Sequence, residues 1–226
     1  MARPRLLDLG CCGGGAGHGY GQAGFDVTGL DIAPHPNHPG PFILADALIF
    51  MMALATGNTY AGYALCDFDA FHASMPCQRW AQATLGQRRA GKHYPDLITP
   101  LRPLLAATGK PWVMENVPAA PLRADLDLCG CMFGLELPGR AQLYRPRRFE
   151  MSFPPPPQPP HAPHRLPAVS ICGHGTPAWQ RERTGHIRVA DWRQVMGIGW
   201  TNRAELAEAI PWAYTAYAGK FLMEAI

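Results

Sequence analysis

Short apolar runs alternate with helix-compatible stretches over the first half of the chain. Arg5-Leu6-Leu7-Asp8-Leu9 reads as a short buried strand that runs directly into the glycine turn Gly10-Cys11-Cys12-Gly13-Gly14-Gly15. A helix-compatible stretch from Ala16 to Gly24 follows. Val27 to Leu30 is a second strand, ending at Asp31, and Ala45-Asp46-Ala47 opens a helical segment rich in Leu, Ile, Phe and Met. Phe68 to Ala73 is a third strand, ending before Met75-Pro76-Cys77-Gln78, and Trp112-Val113-Met114 is a fourth, ending at Glu115-Asn116. Strands alternating with helices predict an α/β fold with a doubly wound parallel sheet. From about Cys129 the pattern dissolves into Gly, Pro and Arg, and the prolines of 154–157 and 159–160 cannot form a central strand. Helical periodicity returns near Asp191 to Met196, Ala204 to Ile210 and Trp212 to Leu222. The expected division is therefore one domain from 1–128 plus 191–226, with 129–190 as a small irregular lobe.

Composition narrows the class. A chain of 226 residues with 47% apolar and 16% charged residues can bury a real core, and 24 Gly with 24 Pro give it the loops of an enzyme rather than of a helical bundle. The net charge of +3 does not by itself identify a nucleic-acid partner. Between Arg140 and Arg193, however, arginines face only Glu150, Glu182 and Asp191, so a phosphate-contacting surface or a solvated basic face is expected there. The seven cysteines lack the spacing of a disulfide framework, no secretory signal opens the chain and no apolar run is long enough for a membrane. These features predict a cytoplasmic protein in a reducing compartment, with no membrane partner.

In a doubly wound sheet, ligands bind beyond the carboxyl ends of the strands. Gly10 to Gly15, Asp31, Asp46, Cys77 and Glu115 should therefore line one crevice. A glycine turn lets the backbone approach a cofactor, and an acid about twenty residues on, here Asp31, can bind ribose hydroxyls. Asp46 is either a partner for an adenine amino group or a helix cap. Cys77, in a strand-end turn, is exposed enough to act as a nucleophile, whereas Cys11, Cys12 and Cys66 read as inert. Cys129, Cys131, His161, His164, Cys172 and His174 are zinc-ligand types, but their C-x-C and C-x-H spacings are irregular and no metal is expected.

The segments LLDLGCCGGGAGHGYGQAGFDVTGLDI, ADAL, HASMPCQRW, MENVP, YRPRR and EAIPWAYTAYAGKF occur in this order over nearly the whole chain. In this the chain resembles the DNA cytosine C5 methyltransferases, most of all the compact phage-encoded versions. The resemblance implies a Rossmann-like sheet that binds S-adenosylmethionine, a small target-recognition region at 129–190, and cytosine-containing DNA as partner. It also implies a monomer in the cytoplasm, the host's if the chain is phage-encoded. By that similarity Cys77 would add to C6 of a flipped-out cytosine and Glu115 would hold and protonate N3. Asn116 would position the Glu115 loop, and Arg145 and Arg147 would support the base and the carboxylate. The cofactor would lie against Leu9, Gly10, Cys11, Gly14 and Gly15. Asp31, Ile32, Asp46, Ala47 and Pro76 would line it further along, with Lys220 and Phe221 in the last motif. DNA would meet Gln78, Arg79, Arg88, Arg89 and Lys92 in a mobile loop from Gln78 to Tyr94. Arg148, Arg181 and Arg183 would contact it from the small region, whose brevity implies a short or relaxed sequence preference.

The sequence departs from the family at several positions. The usual Phe-Cys-Gly after the first strand is Gly10-Cys11-Cys12, the Pro before Pro-Cys is Met75, the Gln before the arginine pair is Leu143, and the usual Gly-Asn of the last motif is Gly219-Lys220. A lysine at 220 with a missing aromatic would suit carboxy-S-adenosylmethionine, which would make the chain a cytosine C5 carboxymethyltransferase. A non-catalytic DNA-binding decoy is the reading from another class, and an RNA-directed member of the family stays open.

Overall fold

The protein was analysed as a computed structural model, which describes residues 2–171 and 178–226. Five parallel strands build most of the central sheet: β1 (Arg5–Leu9), β2 (Asp26–Asp31), β3 (Phe42–Leu44), β4 (Ala70–Ser74) and β5 (Trp112–Asn116). Two more strands, β6 (Leu126–Leu128) and β9 (Arg147–Met151), extend it. The order is β3-β2-β1-β4-β5-β9-β6, with β9 antiparallel to both β5 and β6. A small hairpin, β7 (Glu136–Leu137) with β8 (Ala141–Gln142), stands apart.

Alternation along the strands sends side chains to two cores. Leu7, Leu9, Phe71, Ala73 and Met114 face one side. There they meet α2 (Ala47–Ala55) and α4 (Ile98–Ala107) through Phe50, Met51, Leu101 and Leu105. Leu6, Ala70, Val113 and Phe149 face the other, against α1 (Gly15–Ala23) and α8 (Trp212–Glu224). The short α3 (Leu85–Arg89) sits in the loop that follows Cys77. Burial of such side chains contributes roughly 1.5–3 kcal/mol each, which is what holds the three layers together. A third core gathers Leu143, Val169, Ile171, Trp192, Val195 and Leu206 from the smaller lobe. That lobe includes α5 (Ala178–Thr184), α6 (Val189–Met196) and α7 (Arg203–Glu208).

The sequence boundary at 129–190 cuts across the sheet, because β9 lies within it and is flanked by β5 and β6. The signal was hidden by charge: Arg147 and Arg148 interrupt the apolar pattern, yet both find carboxylate partners, Glu115 and Asp127. Among the described residues no helix is long and apolar enough to cross a membrane.

Candidate active site

The parallel strands end together, and their ends open into one cleft of about 1000 Å³. At its floor the turn after β1 approaches the end of β4: a Cβ on Gly10, whose φ is +72°, would lie 2.5 Å from the Ser74 carbonyl oxygen. Only glycine fits that approach and that backbone region. Gly10, Cys11, Cys12 and Gly15 line the cleft, as do Asp31, Ile32, Asp46, Ala47, Pro76 and Gln78. Cys77, Glu115, Asn116, Arg145 and Arg147 line it too.

The strand register explains why the chemistry meets. Ser74 at the end of β4 pairs with Glu115 on β5, and its hydroxyl donates to Glu115 Oε2 at 2.7 Å. Behind Ser74 lie His72, with Nε2 3.0 Å from the Ser74 hydroxyl, and Tyr20, whose hydroxyl is 2.9 Å from His72 Nδ1. Burial holds His72 neutral, its pKa pushed down to about 3. Arg147 Nε lies 2.9 Å from Glu115 Oε1, but that buried oxygen receives no aligned hydrogen bond. Burial raises the Glu115 pKa above the usual carboxylate range, opposed by Arg147 and the Ser74 hydroxyl. Asn116 Nδ2 donates to the Met75 carbonyl at 2.7 Å, fixing the turn that leads to Cys77. Burial also raises the Cys77 thiol, while Arg147 and Arg145 draw it down.

Arg145 has a different role from its neighbour. At φ +35° it sends its guanidinium to the carbonyls of Ala207, Ala209 and Ile171, at 2.7, 2.6 and 3.1 Å. It thus bolts the strand to the smaller lobe, and burial lowers its pKa to about 9. Only Arg147 of the pair meets Glu115.

Asp31 accepts from the backbone N–H of Cys12 and of Ala33, both at 3.0 Å, and so ties the glycine turn to the end of β2. Asp46 is the helix cap: its Oδ1 accepts from Leu48 and Ile49, and Oδ2 takes no part in that cap. Cys11 and Cys12 are both raised by burial, Cys12 to about 12, in keeping with inert thiols.

Several expected site residues lie elsewhere. Lys220 is exposed and Phe221 packs on Tyr217, and neither lines the cleft. The reason is the direction of α8: Ala209 and Ile210, just before it, reach the cleft, while Lys220 lies eight residues beyond Trp212, the first residue of the helix, about 12 Å along the axis. Leu9 is buried beneath the turn and Gly14 backs onto His38 and Pro39. Of the basic residues assigned to DNA, Arg88 is engaged within its own loop, donating to Gln78, Ala81 and Thr84. Arg148 is held bidentately by Asp127. Arg79, Arg89, Lys92, Arg181 and Arg183 are exposed. Sequence reasoning missed Ser74, His72 and Ala209, although period-two alternation along β4 would have placed Ser74 beside the carboxylate strand. It also missed that Cys129, Cys131, His161 and His164 converge; Cys172 and His174 lie outside the described residues.

No family model and no curated protein matches the chain. Among solved structures it is similar to the S. pombe Dnmt2 methyltransferase, at 13% identity and TM-score 0.60 over 98% of each chain. It is also similar to the Entamoeba histolytica methyltransferase EhMeth, at 9% identity and TM-score 0.56 over 99% of each. A DNA modification methyltransferase encoded within an E. coli prophage overlaps it at 17% identity and TM-score 0.43, over 66% of this chain. The chain spans only 46% of that protein, and this overlap carries no weight. The two full-length likenesses show the fold alone: a mixed α/β, Rossmann-like architecture built on a seven-stranded sheet.

Proposed function

We propose that the chain is a DNA methyltransferase acting at C5 of a flipped-out cytosine, with Cys77 as the covalent nucleophile. The observation that carries this is Glu115, a buried carboxyl whose Oε1 has charge compensation from Arg147 but no aligned donor, in the same cleft as Cys77. A pyrimidine edge with a ring nitrogen and an amino group is the ligand such a carboxyl suits.

The residues present fit the cofactor. Gly10 brings backbone close to the floor, Asp46 Oδ2 is free of the helix cap, and Ile32, 71% exposed at the cleft, offers apolar surface to an adenine ring. S-adenosylmethionine, when bound, supplies an electrophilic methyl group on a sulfonium.

The chain's own residues do the rest. The Cys77 thiol gives up its proton and its sulfur forms a bond to C6 as the C5–C6 double bond opens, which makes C5 nucleophilic towards the donor's methyl group. Loss of the C5 proton and breaking of the sulfur–C6 bond then restore the ring and free Cys77. Burial raises the Glu115 pKa, which suits this carboxyl to pass a proton to N3 as the addition puts negative charge on the ring. Arg147 limits how far the carboxyl pKa rises and draws the thiol down at the same time. The loop of residues 78–94 closes over the extruded base, whose unstacking costs a few kcal/mol. The smaller lobe provides the DNA contacts. The donor is the methyl form: the cation expected to read a carboxylated donor, Lys220, lies outside the cleft.

DNA carrying 5-fluorocytosine is expected to give a denaturant-stable adduct with the protein and none with Cys77→Ser. Nucleoside mass spectrometry should find one methyl substituent on cytosine. Turnover without any adduct, or a carboxymethyl product, rejects the respective part of the reading. Glu115→Gln should lower kcat by about 100-fold or more while leaving cofactor binding intact.

A further inference from the structure

Away from the cleft, two cysteines and two histidines from distant parts of the chain converge. Cys129 follows β6, and Cys131 lies in the 3-10 turn of Gly130–Phe133. His161 and His164 lie in the proline-rich segment that follows β9, which has neither helix nor strand around them. Cys129 Sγ is 3.3 Å from His164 Nε2, and Cys131 Sγ is 3.4 Å from His161 Nε2. All four ligand atoms lie within 4.8 Å of one another.

We propose that Cys129, Cys131, His161 and His164 bind a single structural zinc ion. Zinc–sulfur bonds of about 2.3 Å and zinc–nitrogen bonds of about 2.0–2.1 Å make a tetrahedron with edges of roughly 3.3–3.8 Å. The two cross pairs already match those edges. The widest separation exceeds them by about 1 Å, which the two exposed imidazoles close by rotating inward. The donor set selects the metal: two thiolates and two imidazoles in a closed set suit a borderline-soft, tetrahedral ion. Two thiolates balance its charge, so the ion sits against buried cysteines without an uncompensated field. None of the four lines the cleft, so the ion has no part in catalysis.

The setting explains what the ion would do. Residues 154–167 are a long connection without secondary structure, a kind that needs an anchor to hold one conformation. One end is tied where Gln158 bonds the backbone of Asp127 and where the Tyr217 hydroxyl donates to the Pro157 carbonyl. Further along, His164 stacks on Tyr144 with ring centroids 3.7 Å apart, and the Tyr144 hydroxyl donates to the Leu166 carbonyl. Zinc would join the segment to the cysteines across sequence separations of 30 and 35 residues. The irregular local spacing that argued against a metal is overcome by the fold, which supplies C-x-C from one side and H-x-x-H from the other.

Elemental analysis of the full chain purified without chelator is the test. One zinc per chain is expected, with cobalt(II) substitution giving the visible bands of a tetrahedral thiolate site. His161→Gln with His164→Gln should abolish both, and because these side chains are exposed the variant stays folded by circular dichroism. Cys172→Ser should keep the metal. A strong chelator should lower Tm by several degrees in the parent and not in the double variant. Metal-free protein after expression and refolding with zinc overturns the proposal. So does a Cys129–Cys131 disulfide, zinc retained by the histidine double variant, or zinc lost with Cys172→Ser. None of these readouts depends on catalytic activity, so they stand or fall separately from the proposed reaction.

Discussion

Asp8 is the residue whose environment is most at odds with its charge. It is fully buried in β1, and its pKa is pushed up to about 8 by burial first, opposed by the backbone N–H of Gly17 and raised further by Asp31 and Glu115. Its unfolded pKa is about 3.9. Between those values the unfolded chain has released a proton that the folded chain keeps, so stability falls as pH rises. The contribution of the neutral carboxyl is complete below pH about 4 and lost through about 8. Asp8→Asn removes this dependence. In urea titrations, the variant should gain on the parent by on the order of 1 kcal/mol per pH unit between pH 5 and 7.5. A constant difference across that range would mean that Asp8 is ionised and hydrated. For Cys77 and Arg147 the argument is kinetic: Arg147→Ala should raise the pH at which iodoacetamide labels Cys77, followed by peptide mass spectrometry. Labelling unchanged in pH would remove Arg147 from the thiol's environment.

Among elements, the contact between α1 and α8 makes the sharpest demand. A Cβ on Gly19 would collide with the Thr215 hydroxyl and the Trp212 carbonyl, whereas one on Gly21 meets nothing within 4 Å. Gly19→Ala should therefore cost about 2 kcal/mol, since overpacking outweighs the gain in helix propensity. Gly21→Ala should instead stabilise by about 0.5–1 kcal/mol. Equal effects at the two positions would contradict the close approach of these helices. Elements with clean periodicity were legible in the sequence: β1 and its glycine turn, β2, β4, β5 and the last three helices. Strands β6 and β9 were not, because one spans three residues and the other carries two arginines whose partners are far away in sequence. The site followed the same rule. Cys77 and Glu115 could be brought to one cleft from the sequence because the first follows the end of β4 and the second lies at the end of β5, neighbouring strands of a parallel sheet. Lys220 was misplaced because periodicity shows which face of a helix is apolar and not which end approaches a ligand.

Over the whole molecule, Arg145 is the joint between the sheet and the smaller lobe. It satisfies three carbonyls from two separate segments, and leaving such buried acceptors unpaired costs about 1–3 kcal/mol each. Arg145→Lys keeps the charge but not the planar fork, and is expected to destabilise by about 3 kcal/mol. The tryptophan signal of the smaller lobe, with Trp192 in its core, should be lost at lower urea than the signal of the sheet. Simultaneous loss would mean that lobe and sheet unfold as one unit whatever occupies position 145. The metal ligands converge at this same scale, from separations that no local pattern can reveal.

The file from Tyr20 through His72 and Ser74 to Glu115 crosses α1, β4 and β5, and its polarity is set from the far end. A phenol that gives its hydrogen to Nδ1 leaves imidazole with hydrogen on Nε2, which turns the serine hydrogen outward onto Oε2. That oxygen already accepts one hydrogen bond, whereas Oε1 accepts none. The open valence of the carboxyl is therefore greater at Oε1, the side where Arg147 stands, and an incoming ring edge is favoured there.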